Sequence, residues 1–406
     1  MVEKSSLPAD EFDPFDKGWM TDPYPVYRRL REAGPVLWSP RARAWLVTGH
    51  AEVKQVLRDR HAAPFDLAAF VQTLSQRAGK PLVSLVRALD AILFFQHGPD
   101  HAAGRRFLGQ VLNGRPLDAL VPEMHAVASE LLVDVRRDGG IDAVADFAEL
   151  MPYLVMGRLL GIEPEEIRLI ARHLYGFLVV FDRGCSLREL EHHDRRMQTC
   201  LEILEATIRL RRNAPRDDGI SRLVAGGRDD KLTDADLAAR CMFLLLTGSE
   251  TTATFVGNAF RLLLEFPHQQ ALLRDGRASV PQAVDELLRY ESPVQQTVRL
   301  AGVDGSLGGV AIAAGQSMLL MTSAANRDPL VFADPERLLV ERDASAQLAF
   351  AAGLHQCLGE RLARLEAAVA IEQFLTLPRM RLTDDRPQWW SSHVLRRLQG
   401  LKIEPA

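Results

Sequence analysis

Hydrophobic and polar positions along most of this 406-residue chain alternate with the period of an α-helix. The segment at residues 22–34 has prolines near its start and a glycine at its end, and residues 123–140 carry helix-spaced apolar positions before a glycine pair. Runs typical of strands are short and lie at residues 35–39, 44–49 and 309–321. The pattern therefore predicts a mostly helical fold with a minor β component.

The longest predicted helix covers residues 233–266, from a capping threonine and an acidic first turn to the proline at position 267. It is apolar on nearly all sides, which predicts that it is buried. A polar notch, TGSETT at residues 247–252, interrupts it. A glycine inside a helix costs about 1 kcal/mol relative to alanine. The notch is therefore either a kink in which hydroxyls bond back to the backbone, or a functional site.

No internal repeat, low-complexity tract or linker divides the chain, so we expect a single domain over residues 1–406. Large helical enzymes can bury one continuous core at this length. Residues 66–95 form a long stretch with apolar positions at helical spacing, longer than a loop between two helices would be. This stretch either packs against the core as ordinary helix or covers the substrate site as a lid.

The composition is that of an ordinary globular protein, with 47% hydrophobic and 25% charged residues. The formal net charge is −4, so the chain as a whole lacks the positive charge that is typical of proteins that bind nucleic acid. The first residues lack the basic and apolar segments of a signal peptide, and no apolar run reaches the ~18 residues of a membrane span. The four cysteines are too widely spaced for a CxxC metal site and too few to cross-link so long a chain, which favours a reducing compartment. We therefore expect a cytoplasmic protein that binds neither nucleic acid nor membrane.

One cysteine, Cys357, lies two residues after His355 and immediately before a predicted amphipathic helix. Free N–H groups and the helix dipole favour a thiolate there, and Gly353 and Gly359 permit a tight turn. A thiolate can act as a nucleophile or as a metal ligand, and the lack of further cysteines nearby disfavours tetrahedral zinc. The remaining interpretations are a buried inert cysteine, a cysteine hydrolase that uses His355, and an axial haem ligand.

The residues around this cysteine resemble the haem-ligand signature of the cytochrome P450 family. The matching positions are Phe350, Gly353, His355, Cys357, Gly359, Leu362, Ala363 and Arg364. The resemblance implies that Cys357 is the proximal iron ligand and that His355 contacts a haem propionate. By the same resemblance Phe350, Gly353 and Gly359 are cofactor-binding residues. The sequence departs from the signature at Ala351, where the family commonly has glycine.

The polar notch in the long helix is similar to the AGxET motif of the same family, with Thr247 in place of alanine. The resemblance implies that Gly248 lies near the haem face, that Glu250 belongs to a proton relay and that Thr251 lies beside bound dioxygen. Oxygen activation needs protons at the distal oxygen, and a carboxylate and a hydroxyl can deliver them. The presence of both residues favours a monooxygenase over a peroxide-dependent variant.

Two further motifs extend the resemblance. Glu286 and Arg289, three residues apart on a predicted helix, resemble the ExxR motif, and Arg337 fits the third position of its ion-pair network. His101 and Arg105, four residues apart and hence on one helical face, resemble the propionate-binding HxxxR motif.

Other residues follow from their position relative to these motifs. Arg299 is similar in position to a third basic partner of the propionates. Gln295 and Gln296 follow the ExxR helix near the expected pocket, where amides could orient a polar substrate group. Arg361 and Arg364 could form a docking face for a small acidic ferredoxin.

The resemblance covers essentially the whole chain and implies a single, mostly helical domain that encloses haem b. It implies a monooxygenase that inserts one oxygen atom from O2 into a small, largely apolar substrate or secondary-metabolite intermediate, either free or carrier-bound. Electrons would come from NAD(P)H through a ferredoxin reductase and a ferredoxin. The alternatives are oxidative coupling, desaturation or nitrogen oxidation on the same fold, and a non-catalytic haem-binding sensor.

Overall fold

The structure is a computed structural model that describes residues 8–13, 16, 19, 21–113, 117–133, 140–181, 185–227, 232–383 and 387–406. Within these residues the chain is mostly helical and its short strands form small sheets, so the predicted fold class is confirmed. The prediction of a single domain stays a prediction. In the described part of the chain, no helix combines the length and the apolar content that crossing a membrane requires.

The α-helices, in chain order, are α1 Pro8–Glu11, α2 Tyr24–Ala33, α3 His50–Arg58, α4 Leu67–Ala78, α5 Val83–Asp90, α6 Gly98–Asn113, α7 Val121–Leu131, α8 Leu150–Leu160, α9 Pro164–Leu174, α10 Leu187–Asn213, α11 Gly219–Gly226, α12 Asp234–Glu265, α13 Pro267–Arg274, α14 Val280–Tyr290, α15 Thr322–Ala325 and α16 Glu360–Thr376. The 3-10 turns are Leu93–Phe95, Leu117–Leu120, Phe177–Phe181 and Gly353–His355, and a π-helical turn covers Ala143–Ala148.

The strands are β1 Val36–Ser39, β2 Ala44–Val47, β3 Ala62–Pro64, β4 Ile141–Asp142, β5 Thr297–Ala301, β6 Gly305–Leu307, β7 Val310–Ile312, β8 Ser317–Leu320, β9 Met380–Leu382 and β10 Lys402–Pro405. The strands predicted at residues 35–39, 44–49 and 309–321 are therefore present. The others were not predicted.

The chain divides into two compact units. The first consists of Met1–Phe65, Asn258–Cys357 and Asp385–Gln399. Its five-stranded sheet has the order β1-β2-β8-β5-β3, in which β2 and β8 are parallel and the other neighbours are antiparallel. Successive side chains point to opposite faces: Val47 and Leu320 join one apolar cluster, whereas Leu46 and Leu319 join another. Of strand β5, Ala301 packs against the first cluster and Val298 against the second, so apolar contacts reach both faces of this strand.

Glu286 on α14 is fully buried at the centre of an ion-pair network in this unit. Its carboxylate accepts hydrogen bonds from Arg289 at 2.6 and 2.9 Å and from Arg342 at 3.1 Å. The prediction that Arg337 completes this network is wrong. The main-chain carbonyl of Arg337 accepts a bond from Arg289, while its guanidinium is exposed and lies 3.7 Å from Asp334. Arg342, five residues later, is the third member.

A second buried ion cluster in the first unit surrounds Glu291, which follows α14. Its carboxylate accepts hydrogen bonds from Tyr24 at 2.7 Å, from Arg261 at 2.7 Å and from Arg396 at 3.2 Å. Burial alone would raise the pKa of Glu291, but the charges of Arg396 and Arg261 and the Tyr24 hydrogen bond hold this pKa below its usual value. Arg396 also stacks on Trp389. Sequence reasoning did not identify this cluster, which ties α2 to the segment around residues 389–396.

The second unit consists of Asp66–Gly257, Leu358–Asp384 and Gly400–Ala406. Helix α9 packs against α10, helix α16 packs against α7, and the antiparallel sheet has the order β4-β10-β9. The long helix predicted at residues 233–266 is observed as α12. The apolar stretch at residues 66–95 forms two helices, α4 and α5, because Gly79 ends α4 in a left-handed conformation. Residues 134–139 of another predicted helix lie outside the described residues.

Candidate active site

The loop before α16 holds Cys357 in a fixed main-chain conformation. The N–H of Cys357 donates to the carbonyl oxygen of Phe350 at 2.9 Å, and the N–H of Gln356 donates to that of Gly353 at 3.2 Å. Helix α16 begins at Glu360, so the helix predicted immediately after Cys357 is present but begins three residues after the cysteine. All four cysteines are described, and of these only Cys357 is exposed. Its thiol is therefore the one that a ligand or metal can reach directly.

Two small residues shape this loop. Gly353 has a φ of +73°, and a Cβ at this position would lie 2.5 Å from the carbonyl oxygen of Leu57. No other residue fits without a shift of the backbone. Ala351 has a φ of +58°, in the left-handed region that glycine occupies readily and alanine does not. The departure from the family signature at Ala351 therefore carries a conformational cost.

The notch in α12 forms a partly exposed strip on a helix that is otherwise buried over residues 241–256. Thr247, Gly248 and Thr251, at positions i, i+1 and i+4, are half-buried, whereas Ser249 and Glu250 are buried. The hydroxyl of Thr247 donates to the carbonyl of Phe243 at 2.8 Å, and that of Thr251 donates to the carbonyl of Thr247 at 2.8 Å. Both hydroxyls therefore bond back to the backbone, as one interpretation of the notch predicted. The side of the helix that carries Thr247, Gly248 and Thr251 is nevertheless partly exposed.

Glu250 points from α12 to the chain that follows α9. One carboxylate oxygen accepts a hydrogen bond from the main-chain N–H of Gly176 at 2.7 Å, and the other accepts one from Leu178 at 3.1 Å. The side chain is buried, with 1% exposure. Two N–H donors compensate part of the cost of burying its charge. The sequence does not indicate these two donors. Every residue except proline has a main-chain N–H, so the residue types at positions 176 and 178 do not mark them as partners of Glu250.

The candidate propionate partners lie on regular elements. His101 and Arg105 both lie on α6, one turn apart as predicted, and His101 is buried. Arg299 lies in the middle of β5 and is 2% exposed, and its guanidinium donates to Thr297 and to the carbonyl oxygen of Val298. Burial lowers the pKa of Arg299 to about 10.

These residue types fit an iron porphyrin. One accessible cysteine is sufficient to supply an axial haem ligand, and Cys357 is exposed. An anionic propionate next to Arg299 would offset the cost of burying that cation. At Gly248 a Cβ would lie 3.5 Å from Met156, an ordinary contact, so the surrounding protein does not require glycine there. At Gly359, which caps α16, a Cβ would meet nothing within 4 Å.

The two candidate substrate-orienting amides differ in their surroundings. Gln295 accepts a hydrogen bond from the hydroxyl of Tyr27 at 3.2 Å and donates one to the carbonyl of Ser292 at 2.6 Å. Both the oxygen and the nitrogen of its amide are therefore already hydrogen-bonded within the protein. The side-chain oxygen of Gln296 is buried and has no hydrogen-bond partner among the described residues. A role in orienting substrate therefore stays a prediction for Gln296 and loses support for Gln295.

The predicted ferredoxin-docking arginines on α16 have acidic partners within the chain. Arg361 pairs with Asp118 at 2.5 Å, in an arrangement that is largely exposed on both sides. Arg364 pairs with Glu360, one turn away on the same helix. The exposed Arg361–Asp118 pair is of a kind that is weak and can exchange partners, whereas Arg364 and Glu360 are half-buried. The docking role of both arginines stays a prediction.

Comparison with known proteins gives consistent findings. Residues 278–393 match the family model described as Cytochrome P450. The chain is 30% identical over 406 residues to the biotin biosynthesis cytochrome P450 of Bacillus subtilis (strain 168), with 99% of each chain covered. It is 32% identical over 425 residues to the 6-deoxyerythronolide B hydroxylase of Saccharopolyspora erythraea, with 98% of this chain and 99% of that protein covered. The crystal structure of P450BioI in complex with hexadec-9Z-enoic acid ligated acyl carrier protein has a TM-score of 0.87 and 28% identity, covering 96% of this chain and 100% of that one.

Proposed function

Because this chain belongs to the cytochrome P450 family and is a monooxygenase, we propose that it inserts one oxygen atom from O2 into a small, largely apolar biosynthetic intermediate. Its electrons come from NAD(P)H through a ferredoxin reductase and a ferredoxin, and it acts in the cytoplasm. The observation that carries the proposal is the exposed thiol of Cys357, in a loop whose backbone is fixed by the bond to Phe350 and by Gly353.

The residues that would hold haem b follow from the family resemblance and fit the local chemistry. Cys357 would be the iron ligand. The cofactor contacts would be His101, Arg105, Gly248, Arg299, Phe350, Gly353, His355 and Gly359. When bound, the haem supplies the redox chemistry that activates dioxygen. The cationic and imidazole side chains would bind the two propionates, and the glycines would allow the backbone to approach the ring.

Glu250 and Thr251 would take part in proton transfer. The hydroxyl proton of Thr251 is engaged with the carbonyl of Thr247, which leaves the Oγ1 lone pairs free to accept a hydrogen bond from an incoming proton donor. The carboxylate of Glu250, held by Gly176 and Leu178, would carry protons to this position when its side chain turns towards Thr251. The presence of both residues is the feature that favours catalysis over a non-catalytic haem-binding sensor.

The decisive experiment is the difference spectrum of the dithionite-reduced, carbon monoxide-treated holoprotein. We expect the red-shifted Soret band of a thiolate-ligated ferrous carbonyl, and we expect Cys357→Ser to abolish it. Cys185→Ser is the matched control and should leave the band unchanged. A wild-type protein that binds no haem after supplementation, or that keeps the red-shifted band without Cys357, would overturn the proposal.

The reaction type within the family is tested separately by product analysis. Incorporation of one atom of labelled O2 into product supports oxygen insertion. Desaturation and oxidative coupling are alternatives that remove two hydrogen atoms and leave no labelled oxygen in the product. Nitrogen oxidation, the third alternative, adds one labelled oxygen atom as hydroxylation at carbon does, so NMR of the product locates that atom. A second form of the proposal is that the substrate is delivered as an acyl group on a carrier protein. It is supported by the similarity to P450BioI, whose structure contains a fatty acid ligated to acyl carrier protein.

A further inference from the structure

The chain that follows α9 contacts α12 through its main chain and α10 through a phenylalanine ring. Glu250 of α12 accepts hydrogen bonds from the N–H groups of Gly176 and Leu178, the two residues on either side of Phe177. The ring of Phe177 is fully buried, and it packs edge-on against His193 of α10. The residue between the two hydrogen bonds is therefore anchored on a different helix from the one that carries Glu250.

The ring of Phe177 has neutral neighbours on two sides. Phe181, at the other end of the same 3-10 turn, meets it edge-on with ring centroids 6.2 Å apart, and Phe181 in turn contacts Phe95 at 5.2 Å. Burial lowers the pKa of His193 to about 4, so its imidazole is neutral near pH 7 and presents no charge to the ring. Edge-on aromatic pairs are favourable beyond the area they bury. These contacts fix the ring, and the main chain of residue 177 with it.

The start of this segment is held by a separate contact. Arg196 of α10 donates from its guanidinium to the carbonyl oxygens of Arg172 and Tyr175, at the C-terminal end of α9. A cation is favourable there because the unpaired carbonyl groups of a helix C-terminus carry partial negative charge. Gly176, the next residue, has a φ of +75°. Arg196 therefore fixes the point at which the chain leaves α9, and Phe177 is the first side chain that anchors it afterwards.

The two N–H groups matter for the proposed proton transfer because they stabilise one position of the Glu250 side chain. Thr251, the next residue on α12, is half-buried and points to a neighbouring side of the helix. The carboxylate of Glu250 cannot turn towards Thr251 without losing both hydrogen bonds. The fraction of molecules with Glu250 in the turned position therefore depends on how firmly residues 176–178 are held.

We propose that Phe177 is a positioning residue for Glu250: its buried ring orders the two N–H groups that hold the carboxylate away from Thr251. The inference rests on the proposed role of Glu250 in proton transfer. Without the ring, residues 176–178 can move away from α12, and the carboxylate loses the donors that compensate for its burial. The turned position then becomes more populated, so Phe177 determines how often Glu250 reaches Thr251.

The test uses the holoenzyme and two measurements that need no substrate. Hydrogen exchange, followed by mass spectrometry on a peptide that covers residues 174–181, reports on the N–H groups that Glu250 binds. The infrared spectrum of the ferrous carbonyl reports on Glu250 itself. In the proposed function Thr251 lies beside the dioxygen site, which carbon monoxide also occupies. A carboxylate that turns towards Thr251 changes the electric field there and shifts the C–O stretching band.

We expect Phe177→Ala to raise the exchange rate of this peptide by about fivefold, as the loss of one main-chain hydrogen bond predicts. We also expect a second C–O band that is at least about fivefold weaker in wild type. Phe177→Leu keeps an apolar side chain and should remain within about twofold of wild type in both measurements. In Phe177→Ala/Glu250→Ala the second band should be absent, because no carboxylate remains to turn.

The control Phe147→Ala removes an equally buried ring from the π-helical turn, which packs against α7, α8 and β10. It should lower the stability of the protein without a second C–O band or faster exchange in the peptide. A wild-type infrared spectrum in Phe177→Ala, or a second band that persists without Glu250, would overturn the proposal. If Phe177→Ala does not fold, His193→Ala removes the other half of the edge-on contact and gives the same comparison with a smaller effect.

Failure of the proposed function would be recognised separately. Normal turnover of Glu250→Gln would exclude Glu250 from proton transfer, whereas the exchange rates and the C–O bands would still decide whether Phe177 positions its carboxylate.

Discussion

The carboxylate of Glu250 accepts a hydrogen bond from the main-chain N–H of Gly176 at 2.7 Å, which joins the middle of α12 to the chain immediately after α9. The N–H of Leu178 binds the other oxygen at 3.1 Å. A rotation of the Glu250 side chain away from this position would break both bonds. If Glu250 delivers protons as proposed, that movement would therefore be coupled to the stability of the segment around residues 176–178.

Glu250→Gln should impair both catalysis and folding. The amide keeps the shape of the carboxylate, but its NH2 group would face a main-chain N–H, so one of the two hydrogen bonds is lost. We expect product formation to fall by about 10²-fold or more, since general acid–base groups contribute on this scale. We expect the free energy of unfolding in urea to fall by about 1–2 kcal/mol. The control is Glu202→Gln, an exposed position on α10, which should change neither quantity. A Glu250→Gln enzyme with wild-type turnover would exclude Glu250 from the proton relay.

Arg342→Ala should destabilise the protein much more than Arg337→Ala. Arg342 donates to a fully buried carboxylate, and removing one partner of a buried ion pair costs about 3 kcal/mol or more. The side chain of Arg337 is 69% exposed, so its loss should change the free energy of unfolding by no more than about 0.5 kcal/mol. Urea unfolding of both variants measures the difference. The opposite order would restore Arg337 as the third member of the network.

This assignment could not be made from the sequence for a physical reason. Both arginines lie after α14 in one irregular segment, and the motif fixes only the residue type and an approximate spacing. Which side chain turns inwards depends on the loop conformation, including Asp334 at a φ of +47°, and no local pattern specifies it. Glu286 and Arg289 were predictable because they lie three residues apart on a regular helix, where spacing determines contact.

The same distinction applies to the candidate site. The cysteine loop and the notch were recognisable because their residues are close in sequence and of unusual type. The partners of Glu250 were not, because Gly176 and Leu178 act through main-chain N–H groups more than 70 residues away. Strand β5 was missed because its five residues acquire their extended conformation from pairing with β8 and β3.

Ala351→Gly should stabilise the cysteine loop. A non-glycine residue in the left-handed region costs about 1–2 kcal/mol, and the greater freedom of glycine in the unfolded chain offsets part of the gain. We expect a net increase of about 0.5–1 kcal/mol in the free energy of unfolding, measured in urea. The reciprocal variant Gly353→Ala should be destabilised and should retain less haem, because its φ is +73° and its Cβ would collide with Leu57. Equal stability of Ala351→Gly and wild type would mean that the loop relaxes without strain.

His193 should make the stability of the protein depend on pH in the mildly acidic range. Its ring packs edge-on against Phe177, with ring centroids 5.5 Å apart, and burial is the main cause of its folded-state pKa of about 4. The unfolded-state pKa is about 6.5. Between these values the unfolded chain binds more protons than the folded one, so the free energy of unfolding decreases as the pH falls. The stabilisation is complete above about pH 6.5 and is lost by about pH 4.

His193→Leu isolates this contribution, because the variant keeps an apolar side chain of similar size but cannot be protonated. We expect the unfolding free energy of wild type to fall more steeply than that of the variant from pH 7 to pH 4. His268→Leu removes an exposed imidazole and should leave the wild-type slope unchanged. Parallel curves for wild type and His193→Leu would mean that His193 binds its proton equally well in both states. The ring would then be reached by solvent in the folded protein, and its contact with Phe177 would not hinder protonation.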